Sequence, residues 1–332
     1  MSKTLKALKL GSSVLKSKFQ ETPVQINVMP SLYCNLSCHY CSQYTKKTDG
    51  MPFEEFERIV KKADELGAGY FTFTGGEPTE WSHLVESIGL LTENNFASHL
   101  TTNGSTLDDK LAEELGKNEV DVLNVSLDSV DNVNGYDKVL AKHDTGFTDR
   151  LKHLRSEYNV LIKLNAVITE ETMPGISKII QYAGKNGFLL SIGLEVPNLR
   201  IPNPKPHIHI LTPDLKHEIE LAYTDGLLVE PPEYFENPEF DCFVGKQRSI
   251  SIGPDGNIQF CYKTRIPSGH RFSEFRRADY ETYLPDLRKH IDHCNPNCYS
   301  NCSYNAEHLK GNAGHVIMML KNIITKNGKT EV

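Results

Sequence analysis

The sequence has no apolar run of the roughly 18 residues that a membrane-spanning helix needs. The longest run near the end, 316–320, is far too short. It has no basic excess either: Lys and Arg number 36 against 43 Asp and Glu, a formal net charge of −7. That excludes a protein that binds nucleic acid by bulk attraction to phosphate. The basic N-terminus carries neither a continuous apolar segment nor a small-residue cleavage site, so no signal peptide is read there. Internal repeats and low-complexity segments are missing as well. Cysteine is absent from the whole stretch between Cys41 and Cys242. Without an export signal the expected location is a reducing cytoplasm. There, eight cysteines read as metal ligands rather than as a disulfide framework.

What is present suits a folded enzyme-sized chain. Its 332 residues, 39% hydrophobic and 24% charged, suffice for two domains or for one barrel with an extension. Strand patterns fall at 24–29, 70–74, 97–101, 122–127, 161–167 and 189–194. Helical patterns lie between them at 53–66, 83–94, 107–116, 147–157 and 175–186. Strands separated by helix-length crossovers predict a parallel sheet, and right-handed crossovers would curl it into a barrel or part-barrel. Pro197, Pro202, Pro204 and Pro206 then mark a boundary, and Pro231 and Pro232 a second break. A hairpin is expected from 249–252 and 257–262 around Pro254-Asp255-Gly256, with a last helix near 315–325. Residues 1–22 form an amphipathic helix in which Leu5, Leu8, Val14 and Leu15 alternate with Lys3, Lys6, Lys9, Lys16 and Lys18. It is expected to pack, solvated, on an open end of the barrel, the alternative being a membrane or partner contact. The domains expected are 1–22, 23–200 and 201–332.

The first cysteine group reads Cys34-Asn35-Leu36-Ser37-Cys38-His39-Tyr40-Cys41 and follows the first strand, at the face where such barrels place their chemistry. Three thiolates on one loop suit an iron–sulfur cluster. A structural zinc ion would want a fourth ligand, and His39, inside the C-x-x-C step, is badly placed to supply it. Three cysteines on a four-iron cluster leave one iron open to another ligand. A structural zinc loop is the competing reading.

This C-x3-C-x-aromatic-C run, with Tyr40 as the aromatic, resembles the signature of the radical S-adenosylmethionine (radical SAM) superfamily. Thr74-Gly75-Gly76-Glu77-Pro78 at the end of the second strand resembles its second mark. The resemblance implies a partial (β/α)6 TIM-like barrel of α/β class, a 4Fe-4S cluster on Cys34, Cys38 and Cys41, and bound S-adenosylmethionine. It also implies that Gly75, Gly76 and Glu77 hold the cofactor's amino group. Thr102 and Asn103 follow the third strand. Ser126 and Asp128 correspond to positions near the ribose, Asn165 and Val167 to positions flanking the adenine. The plainer readings are a strand-ending turn for the glycines, helix N-caps for Ser126 and Asp128, and core packing for Tyr40.

Cys242, Cys261, Cys294, Cys298 and Cys302 form the second group. Cys242, followed by Gly256-x4-Cys261 and the later cysteines, resembles the Twitch domain, a short form of the SPASM domain of some radical SAM enzymes. It implies a small C-terminal iron–sulfur domain with one auxiliary 4Fe-4S cluster. Three cysteines at 294, 298 and 302 exceed the two expected, so which of them bind iron stays open, and the spare is a buried small residue or a hydrogen-atom donor. A zinc knuckle is the alternative. His207 and His209 read as polar positions in a linker or strand rather than as metal ligands.

Together these features imply an oxidoreductase. It takes an electron from flavodoxin or ferredoxin, cleaves S-adenosylmethionine to a 5′-deoxyadenosyl radical and abstracts a substrate hydrogen atom. The preferred substrate is a sugar-like alcohol undergoing a two-electron oxidation, with the auxiliary cluster as electron acceptor. The alternatives are peptide crosslinking or epimerisation and, in another class, a non-catalytic electron carrier or redox sensor. No nucleic-acid partner and no membrane span are expected.

Overall fold

The computed structural model describes residues 2–17, 19–20, 22–38, 41, 50–195, 211–236, 249–261 and 264–294. Tyr40, His207, His209, Cys242, Cys298, Cys302, the boundary at 197–206 and the helix expected near 315–325 lie outside the described residues.

Six strands carry the frame: β1 (Gln25–Val28), β2 (Tyr70–Phe73), β3 (Ala97–Thr102), β4 (Val122–Ser126), β5 (Leu161–Ile168) and β6 (Leu189–Leu194). Each pairs in parallel with the next. Between them run α2 (Phe53–Leu66), α3 (Leu84–Glu93), α4 (Asp109–Lys117), α5 (Phe147–Tyr158) and α6 (Ile176–Asn186). The sheet stays open at β6, so the expected α/β part-barrel is what forms. Helix ends follow local chemistry. The pattern beginning at residue 107 starts as a helix only at Asp109, because the Asp108 carboxylate caps it, accepting from Leu111 N at 2.7 Å. α2 stops where Gly67 takes φ +82°.

One face of the sheet is apolar and lies under the helices. Phe71, Phe73, Leu100, Leu123, Leu164, Ile192 and their strand neighbours pack with Phe56, Ile59, Leu84, Ile88, Leu115, Leu151 and Ile179 in a single core. Strand side chains alternate between faces, so the other face carries Asn27, Thr72, His99, Asn124, Lys163, Ser191 and Ser251, all buried.

α1 (Ser2–Lys16) closes the end of the barrel where the strands begin. Ala7 and Leu10 meet Val24, Tyr70, Ala97 and Val122. The expected solvated helix needs one correction. Lys6 is fully buried, its Nζ donating to Asp121 Oδ2 at 3.1 Å and to the Glu119 carbonyl at 2.9 Å. A buried carboxylate demands a partner, and a lysine on the inner face supplies it.

The C-terminal part adds three strands to the same sheet. β7 (Ser249–Ile252) lies parallel to β1 on the side away from β2. β8 (Asn257–Gln259) and β9 (Pro267–Arg271) follow antiparallel. The hairpin is the one expected at 249–262, with β8 shorter than its pattern. α7 (Pro213–Thr224), β9 and α8 (Tyr280–Cys294) have no counterpart in the sequence reading. Glu55 of α2 ties this extension down: Arg271 Nη2 lies 3.0 Å and Arg58 Nη2 2.6 Å from Glu55 Oε2, and Ser273 Oγ donates to Oε1 at 3.0 Å. Among the described residues no helix is long and apolar enough to cross a membrane.

Candidate active site

The chain leaving β1 runs Met29-Pro30-Ser31-Leu32-Tyr33 into Cys34, at the ends where the parallel strands finish. β2 ends beside it, and the two segments are laced by backbone bonds. Gly76 N donates to the Ser31 carbonyl at 3.0 Å, and Glu77 N to the Tyr33 carbonyl at 2.7 Å. This contact is so close that a Cβ on Gly76 would lie 1.9 Å from the Tyr33 carbonyl oxygen. Gly75 takes φ +121°, open to glycine alone at little cost. The glycine pair therefore sets the course of the cysteine loop.

Glu77 is 2% exposed, yet its carboxylate is well supplied. Oε1 accepts from Thr79 N at 3.1 Å, Thr79 Oγ1 at 2.7 Å and Thr102 Oγ1 at 2.6 Å. Oε2 accepts from Asn103 N at 2.7 Å. Burial pushes this carboxyl above the usual carboxylate range, against the pull of those donors. Glu77 and Thr102 thus stitch the ends of β2 and β3 together. Asn103 reaches the cysteine loop itself, its Nδ2 lying 3.0 Å from Asn35 Oδ1 and 3.9 Å from Cys34 Sγ.

Cys38 is buried, and Cys34 and Cys41 are half-buried. A tight turn, Cys41 N to the Cys38 carbonyl at 3.0 Å, draws the last two together. Burial pushes the Cys34 thiol up and the Cys38 thiol up to about 11. Lys138 pulls both the other way. Its own ammonium loses from burial, but Asp128 and the three cysteines outweigh that loss and hold it charged. Lys138 sits in an irregular loop and belongs to no motif. Its place is set by the Asp128 N bond to its carbonyl at 2.7 Å and by the Ser129–Val139 bridge beside it.

Asp128 Oδ1 accepts from Val167 N at 3.2 Å, joining β4 to β5. No helix starts at Ser126 or Asp128: α5 begins at Phe147 with Gly146 before it. The N-cap reading of these two residues is therefore set aside. Ser126 pairs with Asn165 across the sheet. Asn165 and Val167 are half-buried while Leu164, Ala166 and Ile168 are core, so both belong to the face away from the helices, toward the strand ends.

Cys261 lies apart from this group. It leaves the sheet beyond Gln259, which pairs with Ser251 on an antiparallel strand, toward the end where β1 and β7 begin. Phe260 stacks on Tyr283 (5.9 Å) and His290 (5.4 Å) of α8, and Thr264 Oγ1 is 3.1 Å from His290 Nε2. α8 ends at Cys294, one turn beyond His290.

The donor set present is of the kind that iron–sulfur clusters use. Among the described residues no three His, Cys, Asp or Glu side chains converge on one point as a mononuclear metal requires. Three thiols are nevertheless carried on one loop, and thiolate is the ligand that iron–sulfur clusters use. The sequence model of the Radical SAM superfamily matches residues 28–183, the stretch that builds this loop, the glycine pair and β1 to β6. Residues 28–183 form a radical SAM domain. A Pyrococcus abyssi protein named "Probable GTP 3′,8-cyclase" is 35% identical over 198 residues, covering 55% of this chain and 61% of that protein. The match thus spans about three fifths of that relative's length. "PqqA peptide cyclase" of Granulibacter bethesdensis is 25% identical over 281 residues, covering 77% of this chain and 73% of that protein. Among solved structures, Streptococcus suis SuiB bound to precursor peptide SuiA shares the fold, with TM-score 0.62 and 18% identity over 92% of this chain and 77% of SuiB.

Proposed function

We propose that this radical SAM chain is an enzyme that reductively cleaves S-adenosylmethionine and uses the product to abstract a hydrogen atom from a peptide. The observation that carries the chemistry is the placing of Cys34, Cys38 and Cys41 on one loop, locked by Gly76 against Tyr33. When bound, a 4Fe-4S cluster would supply the one electron that splits S-adenosylmethionine into methionine and the 5′-deoxyadenosyl radical that takes the hydrogen. The protein's part is placement. Cys34, Cys38 and Cys41 hold the cluster. Gly75, Gly76, Glu77, Thr102 and Asn103 fix the loop's approach to the methionine end. Ser126, Asp128, Asn165 and Val167 line the strand ends where the nucleoside would lie, and Tyr40 is assigned to the cofactor through the cysteine motif alone. The reductant is of flavodoxin or ferredoxin type, and a cytoplasmic setting keeps the thiols reduced.

The peptide reading takes precedence over the sugar-like alcohol inferred from the auxiliary cysteines, for which none of these relatives gives support. It rests on a relative named a peptide cyclase, which matches 77% of this chain and 73% of its own length; a relative named a GTP cyclase matches 69% and 81%, so a nucleotide substrate is the competing outcome of the test. Cys242, Cys261, Cys294, Cys298 and Cys302 are assigned to a 201–332 unit with a second 4Fe-4S cluster, the spare cysteine being a packing residue or a hydrogen donor. The packing of α8 on the Cys261 turn favours Cys294 among the ligands. Iron should then number about eight per chain and fall to about four in a Cys242→Ala, Cys261→Ala variant.

The test uses the anaerobic, reduced holoprotein. With S-adenosylmethionine it should release 5′-deoxyadenosine, and Cys34→Ala should not; no release from a cluster-loaded protein would favour an electron carrier. A deuterated cell extract, split into peptide, nucleotide and sugar fractions, supplies the substrate. Label should reach 5′-deoxyadenosine from the peptide fraction, and label from the other fractions alone contradicts the peptide reading.

A further inference from the structure

We propose that Asn103 is a positioning residue that sets the reduction potential of the cluster by donating an amide hydrogen bond to the Cys34 sulfur. The inference rests on the reading of Cys34 as a cluster ligand.

The orientation of the Asn103 amide is dictated by its neighbours. Its Oδ1 accepts from Ser105 N at 2.9 Å and from Ser105 Oγ at 2.6 Å. Turning the amide over would set its NH2 against the Ser105 backbone N–H, donor against donor. Nδ2 therefore points the other way, 3.0 Å from Asn35 Oδ1 and 3.9 Å from Cys34 Sγ, within reach for the larger sulfur atom. Two further contacts close the ring. Asn35 Nδ2 donates to Ser105 Oγ at 2.8 Å, and Asn103 N donates to Glu77 Oε2 at 2.7 Å. At 4% exposure, Asn103 meets little competition from water.

Metal binding sharpens this contact. A thiol at Cys34 can donate to Asn35 Oδ1, 3.9 Å away, but a metal-bound thiolate only accepts. The Asn103 N–H then faces a charged acceptor, and such bonds are roughly twice as strong as neutral ones. Reduction adds a further negative charge to the cluster. The donor stabilises the reduced form more than the oxidised form, so it raises the potential. Nearness to the sulfur distinguishes this from a role in holding the loop alone, which would affect iron loading but not the potential of the clusters that remain.

The test is an EPR-monitored redox titration of the reconstituted full chain without S-adenosylmethionine, in a Cys242→Ala, Cys261→Ala background so that one cluster is titrated. Asn103→Ala and Asn103→Asp should both titrate at a more negative potential than the parent at matched iron content. Asn35→Ala removes the competing acceptor and should titrate at the parent's potential or above it. The inference is overturned if Asn103→Ala keeps the parent's potential, whether iron loading is full or reduced. It is also overturned if Asn35→Ala falls as far as Asn103→Ala. Failure of the parent itself to bind a cluster would instead remove the reading of Cys34 beneath it.

Discussion

At position 76 a methyl group has nowhere to go. The obstacle is the Tyr33 carbonyl, a piece of backbone already bonded to Glu77 N at 2.7 Å, so the neighbour cannot swing aside as a side chain would. Gly76→Ala is expected to destabilise the domain by ~1–3 kcal/mol, the range for overpacking, and to lower iron per chain after reconstitution. Urea midpoints and iron assay read both, and a variant with parental values would show that the loop can shift. The glycine pair stands out in the sequence, as do the three cysteines, because each is a motif of adjacent residues. What the pair packs against does not, since Tyr33 lies over 40 positions away and its role is played by a backbone atom of no particular residue type. Lys138 is hidden for a similar reason. Its charge matters only because the chain after β4 folds back beside Asp128, and no local pattern announces that turn.

Two elements are joined to the barrel by buried or nearly buried charge. α1 plugs the end where the strands begin through Lys6 and Asp121. Removing one partner of a buried pair strands the other, at a cost of ~3–5 kcal/mol. Lys6→Met should therefore lose about that much by urea denaturation, and Lys6→Met with Asp121→Asn should recover part of it. Equal losses in the single and double variants would mean that the lysine acts only by packing. In the second joint, burial raises the Glu55 carboxyl, but Arg271, Arg58 and Ser273 outweigh it and hold it below its ordinary 4.5. The folded state thus prefers the ionised form. Its contribution is full above 4.5 and is lost as pH falls through the lower folded value. Glu55→Gln should cost ~1–3 kcal/mol at neutral pH, and the gap between parent and variant should close as the solution is acidified below that range. A gap independent of pH would mean that the charge is not what anchors β9. The helices and strands up to β6 are legible because each repeats its own period. β9 and α8 are not, since Pro267, Gly269 and Pro285 break the patterns, and their order comes from packing on Tyr283, Phe260 and Glu55.

At the scale of the molecule, the sheet runs from β6 through β1 into β7, β8 and β9 without a break. The parallel pairing of β1 with β7 joins residues more than 200 positions apart, which no local sequence signal can reveal. It sets β7, the first strand of the hairpin that carries Cys261, beside the strand that leads to Cys34, while antiparallel β8 takes Cys261 to the opposite end of the sheet. The alternation of strand and helix predicts the part-barrel, and motif spacing predicts that the cysteines and the Gly-Gly-Glu-Pro run meet at the strand ends. The hydrogen-bonded ring of Asn103, Ser105 and Asn35 is beyond that reach, because it depends on how two strand ends are tilted against each other. The central claim is that the cluster on Cys34, Cys38 and Cys41 keeps one iron free for the amino-acid end of S-adenosylmethionine. The most direct measurement is the EPR spectrum of the reduced protein in the Cys242→Ala, Cys261→Ala variant, recorded before and after the cofactor is added. A changed signal from a protein holding about four irons per chain is predicted. An identical signal at the same iron content would contradict the claim.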